Sequence, residues 1–313
     1  MTPIPMNFNY DLQELKTALA ADTVGYIAKE EARYAAEIQA AADTIKAATS
    51  GCQLVWMCGP SSVGKTTTAK RLSVALHARG LQAFVISLDD FYRGFDKAPL
   101  LPDGSFDYES PEALDLPQLR RCLSELMTSG ETDLPRYDFE AGKPRDERAH
   151  LRVDGDTVVI LEGIQAFSPL LTDGISADIL GKPLRLFINT ATRFTDDDTM
   201  LLCRRDIRLS RRLLRDERTR GSDFADTMAM WQKVLAGDER HIFPYSDRAD
   251  ILVNTAMGYE PSVLAPLLCE RLAVLDGTAY EAAAKRLCAA LKKFPPLAAE
   301  NVPSDSVLRE FIG

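Results

Sequence analysis

The chain lacks any pair of cysteines spaced to hold a metal or to cycle as a dithiol. Its six cysteines, at 52, 58, 122, 203, 269 and 288, are scattered, and several lie inside apolar runs. That pattern predicts reduced, buried thiols and argues against both a disulfide framework and a zinc site. The opening, Met1-Thr-Pro-Ile-Pro, has neither the basic start nor the apolar run of a secretory signal. No stretch approaches the roughly 18 continuous apolar residues of a membrane span, so a cytoplasmic protein is expected. The three histidines, His77, His150 and His241, show no mutual spacing for a metal or a triad. No Ser or Cys stands beside a base in any motif, so no covalent nucleophile is expected. An N-K-x-D guanine signature, internal repeats and low-complexity tracts are also missing. Positive charge is in deficit: 37 Lys and Arg against 46 Asp and Glu leave a net charge of −9. This argues against nonspecific nucleic-acid or bilayer binding, and any anion site must be built from local positive charge.

What the chain does have is Gly59-Pro60-Ser61-Ser62-Val63-Gly64-Lys65-Thr66, followed by Thr67. The stretch fits G-x-x-x-x-G-K-[ST], a loop whose backbone N–H groups cradle phosphates. Lys65 would add a mobile positive charge near the β- and γ-phosphates, and the Thr66 hydroxyl can ligate Mg²⁺. The context is right: an apolar run, Gln53 to Cys58, precedes the loop, and a helical pattern over 67–79 follows it. The helix would point its positive end at the same anion.

Further apolar runs at 82–88, 157–161, 184–188 and 250–254 read as strands, with helical patterns at 111–128, 196–218 and 223–236. Short apolar strands alternating with helices predict an α/β fold, a five-stranded parallel sheet covered on both faces. Ligands of such sheets sit beyond the carboxyl ends of the strands. With 313 residues and 46% hydrophobic content, one large domain with appendages is expected. The expected organisation is a helical N-terminal appendage over 1–49, irregular to residue 10 and broken near Gly25. A P-loop domain over 50–258 follows, then a helical extension over 259–313 packed on it. Residues 94–110 and 135–150 are long and polar, as substrate loops are.

Asp89 follows the second strand and could take a proton from an attacking hydroxyl, or simply cap a turn. Glu162 ends the third strand, where a carboxylate can hold Mg²⁺ or its water. Arginines at 204, 205, 208, 211, 212, 215, 218 and 220 crowd one segment. On a helix, Arg204, Arg208, Arg211, Arg212 and Arg215 share a face and repel unless an anion joins them. ATP phosphates under a closing lid at about 204–221 would be that anion. A solvated face paired with Asp206, Asp216 and Glu217 stays open, as does an RNA patch, which the acidic remainder disfavours.

Taken together, these pieces resemble the uridine kinase/phosphoribulokinase family of P-loop kinases. The resemblance runs through Gly59–Thr67, Ser87-Leu-Asp-Asp-Phe-Tyr-Arg93, Phe106-Asp-Tyr-Glu-Ser-Pro-Glu-Ala113 and Pro135-Arg-Tyr-Asp-Phe139. It continues through Glu162-Gly-Ile, Arg208 to Asp216 with Arg220-Gly221, and Ala249-Asp250, so it covers about residues 50–256. Ile242-Phe-Pro-Tyr and the tail Val302 to Gly313 are similar to the kinase portion of bacterial proteins that look like uridine kinases fused to a threonyl-tRNA-synthetase-like half. The resemblance implies Mg²⁺- and ATP-dependent phosphorylation of a nucleoside 5′-hydroxyl, uridine- or cytidine-like. It implies Asp89 as catalytic base, and Arg211 and Arg215, with Lys65, neutralising the moving phosphoryl. The loop, Arg212 and Arg220 would hold the triphosphate, Thr66 and Glu162 the Mg²⁺, and Tyr92, Asp107, Tyr137 and Arg208 the acceptor. Uridine-cytidine kinases place a base-contacting histidine shortly after the Tyr-Asp-Phe stretch, where this chain has Gly142 and Lys143. Another nucleoside, another small hydroxyl compound such as a sugar phosphate or pantothenate-like acceptor, or a non-catalytic NTP-binding module therefore stay open, as does a homo-oligomer.

Overall fold

A computed structural model describes residues 8–138 and 141–313. The chain opens with β1 (Phe8–Asp11) and the long helix α1 (Leu12–Ala48), then β2 (Cys52–Cys58), α2 (Lys65–His77) and β3 (Gln82–Ser87). Next come α3 (Leu116–Ser129) and the short strands β4 (Glu131–Leu134), β5 (Tyr137–Asp138), β6 (Lys143–Pro144) and β7 (Ala149–Arg152). The second half holds β8 (Thr157–Glu162), α4 (Ala177–Leu180), β9 (Leu184–Asn189), β10 (Thr192–Asp196), β11 (Thr199–Cys203), α5 (Arg204–Thr219) and α6 (Phe224–Gly237). β12 (Ile251–Asn254), α7 (Glu260–Leu268), α8 (Glu281–Leu291) and α9 (Arg309–Ile312) complete it.

The five apolar runs form one parallel sheet in the order β12-β9-β2-β8-β3. Leu54 to Cys58 and all of Thr157–Glu162 are buried, as strands covered on both faces must be. β2 lies between β8 and β9, the point where the chain switches direction across the sheet and where a crevice opens at the carboxyl ends. Register then sets the site: Met57 pairs with Glu162, and Ser87 pairs with Glu162. The ends of β2, β8 and β3 therefore share one rim.

Each face of the sheet carries its own apolar cluster. One joins Val55, Val158 and Ile188 to Leu72 and Leu76 of α2, Ile38 and Ile45 of α1, Leu213 of α5, and Leu264, Leu287 and Val307. The other joins Trp56, Ile86, Leu161 and Phe187 to Leu119 and Leu123 of α3. Both the amino-terminal helix and the segment after residue 258 thus pack into the cluster that supports α2. The break in α1 falls at Asp22 (φ −157°, ψ 88°), three residues before Gly25. Its carboxylate accepts from Gly25 N at 2.8 Å, recapping the helix as an N-cap aspartate does.

Two expectations fail here. The helix anticipated over 196–218 starts only at Arg204; residues 192–203 instead form the β10–β11 antiparallel pair. Asp197 takes φ 50° at its turn, a conformation Asp tolerates better than most residues. Residues 8–10, anticipated as irregular, together with Asp11 pair in parallel with β10 (Phe8 with Thr192, Tyr10 with Phe194) and extend that pair to three strands. The first seven residues of that irregular stretch lie outside the described ones.

Candidate active site

The P-loop follows β2 and ends at Gly64, whose φ of +84° is the left-handed region that favours glycine. A Cβ there would also stand 2.5 Å from Val307 Cγ2. Lys65 Nζ donates to the loop carbonyls of Gly59 (2.9 Å) and Pro60 (3.2 Å), folded back over the cradle it would share with a phosphate. At the foot of α2, Thr66 Oγ1 stands 3.5 Å from Glu162 Oε1, which also accepts from Ser87 Oγ at 3.1 Å. Ser87 caps the 3₁₀ turn 88–91 that presents Asp89.

Burial pushes the Glu162 carboxyl up to about 7, with the Asp89 charge as the next cause. Positive charge beside Glu162 opposes that rise, as Lys65 already does in part. A divalent cation supplies that charge, and Mg²⁺ needs few protein ligands because it retains waters and phosphate oxygens. Among the described residues no group of three or more His, Cys, Asp or Glu side chains could hold a metal ion, and Thr66 Oγ1 and Glu162 Oε1 are the oxygen donors that Mg²⁺ would use here.

Facing the rim are the loops expected to take an acceptor. Asp90 accepts from Tyr137 N (3.1 Å) and pairs with Arg136 (3.0 Å), fixing the start of β5. Tyr92 donates to Tyr108 O at 3.0 Å and receives Gln165 Nε2 at 3.2 Å. Burial, then the charge of Asp89, drives its phenol well above the ordinary range, so it stays neutral beside that carboxylate. The Tyr92 and Tyr137 rings lie 5.9 Å apart, and Phe95 and Tyr108 continue the aromatic wall. Asp107 is tied to Arg240 Nη2 and His241 Nε2, both at 3.2 Å. The latter two lie on a π-turn, Asp238–Ile242, whose first residue pairs with Arg208. Single π-turns inside helices recur at functional sites. His241, which shows no informative spacing in sequence, is therefore a neighbour of the acceptor loops.

The arginines do not share a single role. Arg208 is 1% exposed; it donates to Ser61 O (2.9 Å), pairs with Asp238 (2.7 Å) and lies over Trp231. Burial lowers its pKa, partly offset by Asp238. Its Nη2 and the Oε2 of neighbouring Glu109 have no partner among the described residues, and such groups call for a ligand or water. Burial, then the Asp238 charge, raises Glu109 to about 7. Arg212 donates to Ser61 Oγ at 3.0 Å and pairs with Asp216, so it does sit on the loop. Arg215 is held by Asp216, and burial lowers it to about 10. Arg220 is half exposed, 3.7 Å from Asp216.

Arg211 requires a correction. It is fully buried, forked onto both oxygens of Glu260 (2.5 and 2.8 Å) and bonded to Thr255 Oγ1 and O. Thr255 Oγ1 in turn donates to Val63 O of the loop at 2.6 Å, and Phe311 covers the guanidinium. With its donors spent on the protein, Arg211 stiffens the loop from behind and is not a group aimed at a phosphoryl. Likewise α5 is a clamped, largely buried helix. The simple lid expected over 204–221 is not what its packing describes.

Residues missed in sequence are Asp238, Glu260 and Glu310. Each is an ordinary acid in the chain and gains meaning only from a contact 30, 49 or 243 residues away. Glu310 Oε2 accepts from both Thr67 Oγ1 (2.7 Å) and Thr67 N (3.2 Å).

Residues 54–170 match the model of the Phosphoribulokinase / Uridine kinase family. Uridine kinase-like protein 3 of Arabidopsis thaliana is 29% identical over 64% of this chain and 38% of its own length. The chain thus spans under two-fifths of that relative. The uridine kinase of Halobacterium salinarum is 27% identical over 72% of this chain and 94% of its own. A solved kinase structure from Silicibacter sp. TM1040 superposes with a TM-score of 0.50 at 20% identity, covering 69% of this chain and 98% of that one. Among the described residues no helix is long and apolar enough to cross a membrane. With the loop, the parallel sheet and the family match in agreement, the chain carries a P-loop kinase fold whose residues 54–170 are similar to the phosphoribulokinase/uridine kinase family.

Proposed function

We propose that this chain is a phosphotransferase that moves the γ-phosphoryl of ATP to the 5′-hydroxyl of a nucleoside. The observation that carries the reading is the shared rim: Lys65, Thr66, Glu162 and Asp89 stand at the ends of three adjacent parallel strands, with Thr66 and Glu162 3.5 Å apart. The loop amides and Lys65 hold the β- and γ-phosphates. Thr66 and Glu162 would hold Mg²⁺, which would supply positive charge at the phosphates. Asp89 orients the acceptor hydroxyl and takes its proton as the oxygen bonds to the γ-phosphorus and ADP leaves. Arg212 and Arg215 supply positive charge near the phosphates, and Arg220 the exposed remainder. Arg208, Tyr92, Asp107 and Tyr137 shape the acceptor side. Positioning and electrostatics supply most of the acceleration.

One observation favours a wider acceptor class than pyrimidine nucleosides. Gly142 has φ +64°, and a Cβ there would lie 2.2 Å from the Phe95 ring. No side chain at 142 can reach a base while Phe95 holds that place, so stacking on the aromatic wall replaces a polar base contact. The test is ADP release with Mg-ATP and a panel of nucleosides, widened to sugar phosphates and pantothenate-like alcohols. A nucleoside-dependent signal is expected; ATP binding with no turnover on any acceptor contradicts the assignment.

A further inference from the structure

We propose that the carboxylate of Glu310 occupies a phosphate position of the nucleotide site and must swing away before a triphosphate can seat. The inference rests on the reading of 59–66 as a nucleotide-binding loop. The first N–H groups of α2 have no partner within the helix and, at the end of such a loop, are the donors offered to phosphate oxygens. Thr67 N is one of them. It is taken by Glu310 Oε2, and the same oxygen receives the Thr67 hydroxyl. One anionic oxygen bridging an amide and a hydroxyl at a P-loop helix is the arrangement a phosphate oxygen would make.

The electrostatics agree. Glu310 is among the charges that push Glu162 upward, together with Asp89, so the carboxylate lies within the field of the phosphate- and metal-binding groups. A nucleotide arriving with its own negative charge meets a third acid there and the donors already spent.

The backbone around Glu310 is fixed, which limits what has to move. Arg218 Nη2 donates to Glu310 O at 2.8 Å, and Arg309 donates to the carbonyls of Pro303 and Ala299. Phe311 is 1% exposed beneath Arg211, and Val307 is fully buried against Gly64. Release therefore needs only rotation of one half-buried side chain, with the segment staying in place. The affinity measured for nucleotide is then the intrinsic one reduced by the fraction of molecules whose site is vacant. By the same linkage, bound nucleotide frees Glu310.

The experiment uses the full chain and its Glu310→Ala and Glu310→Gln variants. ATP and ADP affinity is measured by calorimetry with Mg²⁺, and melting temperature in parallel. Glu310→Ala is expected to bind ATP about tenfold tighter or more, and Glu310→Gln, which keeps the shape and an acceptor oxygen but loses the charge, by a smaller factor. Unchanged or weaker ATP binding in both variants, with a lower melting temperature in Glu310→Ala, makes the carboxylate a helix cap and overturns the proposal alone. If neither the parent nor the variants bind ATP, the reading of the loop falls and this proposal falls with it.

Discussion

Arg211 gives the sharpest test of how the arginine helix is used. Its guanidinium and the Glu260 carboxylate are both fully buried, and the fork between them is reinforced by Thr255 and the loop carbonyl of Val63. Removing one member of such a pair strands the other charge away from water, at a cost of about 3–5 kcal/mol. Each kcal/mol corresponds to roughly 2 °C of melting temperature in a chain of this size, so Arg211→Ala should melt about 6–10 °C lower. Replacing both members with apolar residues of similar volume, as in Arg211→Met with Glu260→Leu, removes the stranded charge and should recover much of that loss. Arg211→Lys keeps the charge and loses the fork, so it should fall between. Thermal and denaturant unfolding of the four proteins decide the matter, with ATP affinity as a second readout. An Arg211→Ala protein that melts within about 2 °C of the parent while its turnover falls a hundredfold would refute the structural role.

Glu162→Gln should leave ATP affinity without metal little changed and raise the Mg²⁺ concentration needed for half-maximal turnover by tenfold or more, since the neutral amide holds Mg²⁺ poorly; a magnesium titration reads this directly. Glu109 is raised from 4.5 to about 7 by burial, so the folded protein holds a proton that the unfolded chain has lost between those values. Stability therefore falls as pH rises through that window, and Glu109→Gln should be more stable than the parent by up to ~3 kcal/mol at pH 8 and by almost nothing at pH 4.5; denaturant curves at the two pH values check it. Gly142→Ala should cost about 1–2 kcal/mol from its left-handed backbone alone. It should also raise the KM for the acceptor more than that for ATP, because Phe95 must shift, and steady-state kinetics separate the two.

Much of the sheet is legible because its strands are buried on both faces: runs such as Val158 to Leu161 are continuous and apolar whatever their neighbours. Asp89 and Glu162 are legible for a related reason, since a polar residue at the end of such a run stands at a carboxyl edge, and Lys65 and Thr66 are legible from the spacing of the phosphate loop. The arginines were harder. Spacing puts Arg208, Arg211 and Arg212 together, but whether each meets a ligand or a buried acid depends on Asp238, Glu260 and Ser61, which no local pattern connects to them. The helical pattern over 196–218 overruns the β10–β11 pair, whose turn between Asp196 and Thr199 reverses the chain and whose partners no local spacing reveals. Strand β1 is too short to show a period, and it pairs with a strand more than 180 residues away.

The central claim is that Asp89 activates an alcohol beside a nucleotide held by Lys65 and Thr66. The measurement that tests it most directly is single-turnover phosphoryl transfer by Asp89→Asn on the best acceptor of the panel, with ATP affinity measured on the same sample. Loss of the transferred proton's destination should slow the chemical step by roughly 10²–10⁴-fold while ATP affinity stays within about twofold. Transfer at the parent rate by Asp89→Asn would contradict the account.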